Sequence, residues 1–226
     1  MITRWDLITK KAGMTPEAFN TYWKEQHAPV VLRSQALRRY TQNFVTDAEQ
    51  RGVAFPRVPV TADAFAEIWY DNLHDMNAAY GAYGADIAAD YANFASDVKS
   101  LITVKSLVIP IENKPLLKRV SFIQRKAGMS FEQFKHEWWY VHGDFVRKFK
   151  GVRGYCQSLI LDRVCNGRSL SYEEVPFDGI VELYFDDLEG LNGDFASEVG
   201  KTAQAHGHTF LEKISTYLVD NTNFRG

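Results

Sequence analysis

Cysteine is scarce in this sequence. Among 226 residues there are two cysteines, Cys156 and Cys165, and both stand in the second half of the chain. Two cysteines are too few for a disulfide framework, and their spacing is not that of a CxxC metal knuckle. We therefore expect both side chains to be reduced thiols.

Long apolar runs and an excess of one charge are missing as well. No run of about 18 apolar residues occurs, and Asp6 with the paired lysines Lys10 and Lys11 stands where a signal peptide would be apolar. The formal net charge is −2, without a basic stripe or a block of like charges. These features predict a cytoplasmic protein that binds neither nucleic acid nor membranes.

The motifs of several common enzyme classes are also absent. There is no glycine-rich phosphate loop, GxSxG elbow or metalloprotease helix. His206 and His208 form an HxH pair that could join His142 around a metal, but no acidic or thiolate ligand has a recognisable spacing to them. We expect no metal and no cofactor, so that any chemistry uses general acid–base groups in an apolar cavity.

An internal repeat organises what is present. The segment RWDLITKKAGMTPEAFNTYWKEQH, residues 4–27, matches RVSFIQRKAGMSFEQFKHEWWYVH, residues 119–142, at a constant offset and without a gap. The same offset pairs RRYTQ with RGYCQ and AEIWYD with VELYFD. The repeat predicts two units, residues 1–110 and 118–226, joined by a linker at residues 111–117.

Each unit is predicted to contain four strands and two helices in the order strand, helix, strand, strand, helix, strand. Strand one alternates apolar and polar residues, and a KAGM turn then leads to a helix N-cap at Thr15 or Ser130. The second helix is Ala-rich and long. The loops at residues 46–63 and 162–177 are long for a compact unit, which is typical of lids and pocket rims.

The two units are expected to cover each other. A four-stranded sheet with both helices on one face leaves its other face bare, and the second copy can pack against that face. We predict an α+β fold in which two tandem ferredoxin-like units with antiparallel sheets form one intrachain barrel around a small-molecule pocket. Such a chain is a pseudo-dimeric monomer, with a homodimer of the fused chain as a further possibility.

The repeated motifs resemble a known family. The runs KAGMTPEAFNTYWKEQHAPVV, LRRYTQN and AEIWYDNLHDM, and their second-half counterparts, are similar to the EthD family of dimeric α+β barrel proteins. The resemblance covers nearly the whole chain twice and implies the ferredoxin-like barrel. It implies no single reaction, because relatives with this barrel include lactone isomerases, dehydratases, cofactor-free oxygenases and members without known activity.

His27 and His142 are the main catalytic candidates. Each histidine follows a tryptophan of helix one by four positions, so the imidazole extends the apolar stripe of the helix toward the sheet. A buried histidine bonded to a backbone carbonyl is the alternative, but the resemblance implies an active-site role at this motif position. The first half stays nearer the family pattern, which predicts that His27 matters more than His142.

Two further sets of residues are candidates for the site. Tyr40 and Tyr155 are predicted to assist catalysis as hydrogen-bond donors from a strand face that lines the barrel; the alternative is that both fill the barrel, with their hydroxyls bonded to the backbone. On strand three, each glutamate shares a face with an aromatic residue two positions on, and we expect burial to raise the glutamate pKa unless an arginine such as Arg38 or Arg153 pairs with it. The predicted substrate-binding residues are Gln42, Glu67, Trp69, Gln157, Glu182 and Tyr184.

Two classes of function follow from these residues. The first is a cofactor-independent acid–base enzyme of the isomerase, dehydratase or lyase type, acting on a small hydrophobic, aromatic or polyketide-like substrate; aromatic residues make up 14% of the sequence and favour flat ligands. The second is a binding or accessory protein that carries such a ligand, or haem, without changing it. A cofactor-free monooxygenase is a further alternative.

Overall fold

The computed structural model describes residues 1–165 and 167–225, which form two units of the predicted element order. The first unit contains a π-helical turn between two short helices. Its elements are β1 (Ile2–Lys10), α1 (Pro16–Tyr22), the π-helical turn Trp23–His27, α2 (Ala28–Val31), β2 (Arg39–Asp47), β3 (Ala64–Tyr70), α3 (Leu73–Phe94) and β4 (Ala95–Ile109).

The second unit repeats this order with two differences: a short strand is added, and the long helix is divided in two. Its elements are β5 (Leu117–Arg125), α4 (Phe131–Lys135), the π-helical turn His136–His142, α5 (Gly143–Val146), β6 (Val152–Cys165), β7 (Arg168–Ser169), β8 (Gly179–Phe185), α6 (Leu188–Ala196), α7 (Glu198–Phe210) and β9 (Leu211–Arg225). The break falls at Ser197, whose side chain caps α7 by accepting from the Gly200 amide.

The predicted helix starts are confirmed in both copies. Thr15 caps α1 by accepting from the Ala18 amide, and Pro16 occupies the first turn, where its missing N–H costs nothing. Ser130 caps α4 in a reciprocal capping box with Gln133. These local signals fix where each first helix begins.

The strands close into one antiparallel barrel, which confirms the predicted fold class. The two units have the strand orders β4-β1-β3-β2 and β9-β5-β8-β6, and the pairs β2–β9 and β4–β6 join them. Since β4 ends at Ile109 and β5 begins at Leu117, the connection between the units is residues 110–116. No helix in the described residues is long and apolar enough to cross a membrane.

The interior of the barrel is packed with side chains, in contrast to the predicted pocket at this place. Trp5 and Leu7 of β1 point inward and pack with Phe65, Phe122 and Tyr217. Residues on the opposite face, such as Ile8, pack under the helices in separate apolar cores. Space for a ligand must therefore be sought between the helices and the outer face of the barrel.

Candidate functional site

The first-half histidine is completely buried between helix and sheet. His27 ends the π-helical turn, and its Nδ1 lies 2.6 Å from a carboxylate oxygen of Asp90 on α3. Its ring packs on Tyr91 at a centroid distance of 4.3 Å, and its Nε2 is buried with no hydrogen-bond partner among the described residues. Burial lowers the pKa of His27, although Asp90 acts in the opposite direction.

The strand-two residues lie on the helix side of the sheet, not inside the barrel. Gln42 Nε2 donates to the Trp23 carbonyl and to the Tyr40 hydroxyl, each at 2.8 Å. Gln157 makes the same pair of bonds, to the Trp138 carbonyl at 2.7 Å and to the Tyr155 hydroxyl at 2.8 Å. The two tyrosines are therefore on the histidine side of the sheet.

These glutamines support the π-helical turns. In the first unit the Trp23 carbonyl accepts from the Ala28 amide, five residues on, as well as from Gln42. A widened turn of this kind displaces the following residue relative to a regular helix and is often found at functional sites. Gln42 and Gln157 thus act on the position of each histidine through the backbone.

The strand-three residues do point into the barrel, where they meet a cluster of opposite charges. Glu67 pairs with Lys118 and lies 3.3 Å from Lys105, while Glu182 pairs with Lys105 and lies 3.1 Å from Lys118. Asn43 donates to Glu67 at 2.9 Å. The neighbouring aromatic residues complete the cluster: Lys105 lies 4.4 Å from the Trp69 ring, and the Tyr184 hydroxyl donates to Glu182 at 3.1 Å.

Two expectations about these glutamates need correction. Burial acts to raise the pKa of Glu67, but the attraction of Lys118 and Lys105 outweighs it and holds that pKa below its ordinary value. The predicted arginine partners bind elsewhere, because Arg38 pairs with Asp71 and Arg153 with Asp186. The two glutamates and two lysines of the cluster therefore balance each other's charge.

A cavity of about 70 Å³ lies on the helix side of the second unit. It brings together His142, Tyr155 and Trp138 of the predicted motif with two residues of β5, Arg119 and Ser121. Of the predicted catalytic residues, this cavity therefore contains those of the second half.

Arg119 carries a buried charge that has no counterion among the described residues. The residue is 3% exposed, and its Nε and Nη2 have no hydrogen-bond partner in the described part of the chain. Burial lowers the pKa of Arg119 to about 9, so the guanidinium remains charged at neutral pH. The guanidinium carbon stands 4.7 Å from the Phe195 ring, and a cation–π contact offsets only part of the desolvation cost.

The corresponding arginine of the first unit is fully neutralised. Arg4, which aligns with Arg119, donates from Nε to Asp6 at 2.8 Å and from Nη2 to Ser100 at 2.7 Å. Burial acts to lower the pKa of Arg4, but Asp6 outweighs it and the pKa rises. Ser121 stands in the place of Asp6 in the second unit, and its hydroxyl is buried with no partner in the described residues.

A second residue difference between the two units creates the cavity beside Arg119. The ends of the long helices, ADYANF and AHGHTF, align so that Gly207 takes the place of Tyr91. Tyr91 is buried and donates to Asp6 at 2.9 Å, which fills the first-unit site. Because Gly207 has no side chain, the equivalent volume next to His142 and Arg119 stays open.

The same alignment gives His142 a different orienting partner. His206 replaces Asp90; its Nδ1 lies 3.2 Å from the Nδ1 of His142, and its Nε2 lies 3.3 Å from Glu137. A tautomer consistent with these distances has the Nε2 proton of His206 facing Glu137, so that His206 Nδ1 accepts from His142 and the His142 Nε2 lone pair is free. Burial, with repulsion from His206, lowers the pKa of His142 to about 4.

The loop between β2 and β3 covers this cavity from the other half of the molecule. Val53 and Phe55 line it, and the Phe55 ring stacks on His208 at 4.1 Å. Gly52, with φ of 74°, presses against Phe195 so closely that a Cβ there would clash. The predicted rim loop of one unit is thus a cover for the site of the other.

The first unit presents an open groove of about 1090 Å³ between α3 and β4. It is lined by Arg4, Tyr80 and Tyr91. Val164, in the part of β6 that pairs with β7, forms a further wall. His27 is fully buried against Tyr91. The groove therefore offers a large surface, but Arg4 is already paired and His27 is not among the residues that line it.

Neither a metal nor a haem fits the second-unit cavity. Across residues 1–165 and 167–225, no group of three or more His, Cys, Asp or Glu side chains is arranged to hold a metal ion. His206 contacts His142, but His208 stacks on Phe55. A volume of about 70 Å³ is also far below the roughly 300–1,000 Å³ of pockets for drug-sized ligands and cofactors.

Sequence reasoning missed Arg119, Ser121 and Gly207. The repeat itself indicates Ser121 and Gly207, because each is a small residue that aligns with a charged or bulky residue of the other copy. Asp6 against Ser121 and Tyr91 against Gly207 are two such positions. Their importance is visible only in the folded structure, where Asp6 binds Arg4 and Tyr91 binds Asp6, while Ser121 and Gly207 line the same cavity as Arg119.

The fold and site define a class: a fused pair of ferredoxin-like units forming one α+β barrel, with a mainly apolar cavity that a few polar side chains also line beneath the helices of one unit. The EthD domain model matches residues 11–97 and again 126–214. The chain therefore belongs to the EthD family, with the domain present twice in tandem. No curated protein matches it.

Several solved structures share the whole barrel at low sequence identity. An anthrone oxidase-like protein is 13% identical with a TM-score of 0.66, covering 98% of this chain and 92% of its own. A candidate monooxygenase from Lactobacillus acidophilus NCFM is 9% identical with a TM-score of 0.60, covering 98% of this chain and 94% of its own. A mutant chlorite dismutase from Candidatus Nitrospira defluvii is 10% identical with a TM-score of 0.53, covering 98% of this chain and 91% of its own. At such identities the likeness shows the fold alone.

Proposed function

We propose that the chain is a cofactor-independent acid–base enzyme whose active site is the second-unit cavity. The observation that supports this most directly is the cavity next to His142, whose imidazole is held at Nδ1 and has Nε2 available to take a proton. His27, by contrast, is buried against Tyr91. This assignment places the working site in the half opposite to the one favoured by the motif pattern.

The chemistry of such a site is proton transfer at carbon or oxygen. With its pKa lowered to about 4, His142 is neutral at pH 7 and acts as a base. The contact of His142 with His206, which in turn lies beside Glu137, favours the tautomer of His142 that carries its proton on Nδ1. Tyr155, whose pKa is raised by burial, remains a neutral hydrogen-bond donor for an oxygen of the substrate.

The size of the cavity limits what enters it. A volume of about 70 Å³ holds the reactive end of a substrate, while an aromatic or polyketide-like remainder would lie under the loop carrying Val53 and Phe55. That loop must therefore move for a larger substrate to bind. Isomerisation, dehydration and lyase cleavage all begin with the same proton removal, as does a cofactor-free oxygenation through a carbanion.

Solvent deuterium exchange tests this function without knowledge of the final product. Carbon acids with an aromatic or polyketide-like skeleton, anthrone among them, are incubated with the protein in D₂O and followed by proton NMR. We expect exchange above the uncatalysed rate, lowered about 100-fold or more in His142→Gln because general-base catalysis typically contributes that much. His27→Gln is expected to retain most of the exchange.

The outcomes separate the alternatives. Equal loss from both histidine variants would contradict a second-unit site, and loss only from His27→Gln would return the site to the first unit. Binding of these compounds without catalysed exchange in the unmodified protein would favour a carrier.

A further inference from the structure

We infer that Arg119 is the binding site for a carboxylate group of the substrate, so that the enzyme acts on small organic acids. This inference rests on the proposed function for its catalytic meaning, but the binding site itself stands on the geometry of the second-unit cavity.

The free edge of the guanidinium has the right shape for a carboxylate. Nε and Nη2 of Arg119 are buried without a hydrogen-bond partner among the described residues, and an Nε–Nη edge of arginine donates two parallel hydrogen bonds to the two oxygens of a carboxylate. In the first unit, Arg4 Nε already donates to an oxygen of Asp6, at 2.8 Å. The protein thus shows, in its own other half, the ligand chemistry that the second half lacks.

The groups around Arg119 agree with an external anion. Its ring neighbour Phe195 is uncharged, and Ser121 supplies a buried hydroxyl with no partner in the described residues, which can donate to an anion. Thr216, which pairs with Ser121 across the strands as Ser100 pairs with Asp6, turns its hydroxyl to the Glu49 carbonyl of the covering loop, at 3.0 Å. A second hydrogen bond to the guanidinium, like that from Arg4 to Ser100, is therefore missing.

Energetics favour the same conclusion. A buried charge without a partner destabilises a fold, and a buried titratable group with a shifted pKa in a cleft is typical of functional sites. A substrate carboxylate that replaces the missing counterion would gain affinity from the desolvated setting. The substrate carbon bonded to that carboxylate would then lie in the cavity that His142 also lines.

Binding of acetate and benzoate provides the test, measured by isothermal titration calorimetry at pH 7 and constant ionic strength. We expect one site per chain rather than two, because Arg4 is occupied by Asp6. Arg119→Met should weaken acetate binding at least tenfold. Lys201→Met, which removes an exposed cation from α7, serves as the control for the change in net charge and should leave the affinity unchanged.

A second variant copies the first unit and stays informative if Arg119→Met folds poorly. Ser121→Asp places a carboxylate where Asp6 stands, so we expect loss of acetate binding together with a higher unfolding temperature. Unchanged binding in Arg119→Met or Ser121→Asp, or no binding to the unmodified protein, would overturn the carboxylate site.

The acid–base enzyme and the carboxylate site can be contradicted independently of each other. His142→Gln should still bind acetate, because the Arg119 edge is intact in that variant. Loss of deuterium exchange in His142→Gln without any Arg119-dependent acetate binding would retain the enzyme and reject the carboxylate site. Acetate binding that depends on Arg119, with no catalysed exchange, would retain the site and reject the enzyme.

Discussion

At the scale of single residues, the two units differ at a few positions that act together. Asp6 neutralises Arg4 and Tyr91 fills the space beside it, whereas Ser121 and Gly207 leave Arg119 without a partner among the described residues and with a cavity beside it. Replacement of the aspartate alone would leave the arginine unpaired but without room for a ligand. Replacement of the tyrosine alone would open a cavity beside an arginine that is already paired. The paired exchanges explain why fusion of two similar units can produce unequal sites.

The lowered pKa of His142 predicts how stability depends on pH. Its folded pKa of about 4 lies below the roughly 6.5 of an unfolded histidine. Between these values the unfolded chain binds more protons than the folded chain, so stability rises with pH from about 4 to about 6.5. We expect a lower urea midpoint at pH 5 than at pH 7, and a smaller difference between the two pH values in His142→Gln.

The comparison with His142→Gln isolates this one residue. His27 also has a lowered pKa and changes stability in the same direction, but it is present in both proteins and its contribution cancels. An identical pH dependence in the two proteins would show that His142 titrates normally.

At the scale of elements, the π-helical turns are the features that carry each histidine. Both turns are held by a glutamine from the neighbouring strand, and the loss of its amide would leave a buried carbonyl with fewer donors. The turn is therefore specified partly by the sheet and not by the helix sequence alone. The same contact occurs in both units.

Replacing Gln42 measures this support. Gln42→Leu removes the donor to the Trp23 carbonyl and to the Tyr40 hydroxyl, and we expect a loss of about 1–3 kcal/mol in the free energy of unfolding. Urea denaturation gives the value. Gln26→Leu, at an exposed position of the same turn, should change stability by less than about 0.5 kcal/mol; similar losses from both would argue against the role of Gln42.

At the scale of the whole molecule, the two units depend on each other in three ways. The pairs β2–β9 and β4–β6 close the barrel and remove free sheet edges. The β2–β3 loop of the first unit covers the cavity of the second. A buried cluster of charges inside the barrel also draws its members from both units.

The charge cluster predicts a strong coupling between the halves. Lys118→Met leaves Glu67 and Glu182 with one lysine between them, which should destabilise the fold by about 3–5 kcal/mol. Adding Glu67→Gln restores the balance of charge, so the double variant should be more stable than Lys118→Met alone. Denaturant unfolding of the four proteins in this cycle measures the coupling, and additive effects would show that the two residues act independently.

The sequence by itself determined the duplication, the order of the elements, the helix starts at Thr15 and Ser130, and the antiparallel barrel. These features depend on local chemistry and on repetition, which can be seen in one dimension. The period of a strand also predicted that Tyr40 shares a face with Gln42 and Glu67 with Trp69.

Only the tertiary structure decided which face of the sheet carries the site and which half holds it. Strand periodicity says that two residues share a face but not whether helices or the opposite sheet will cover it, so the tyrosines were expected in the barrel and lie under the helices. The cavity itself depends on whether Arg4 or Arg119 has a partner. That partner comes from another position in the chain, and the folded arrangement alone brings the two together.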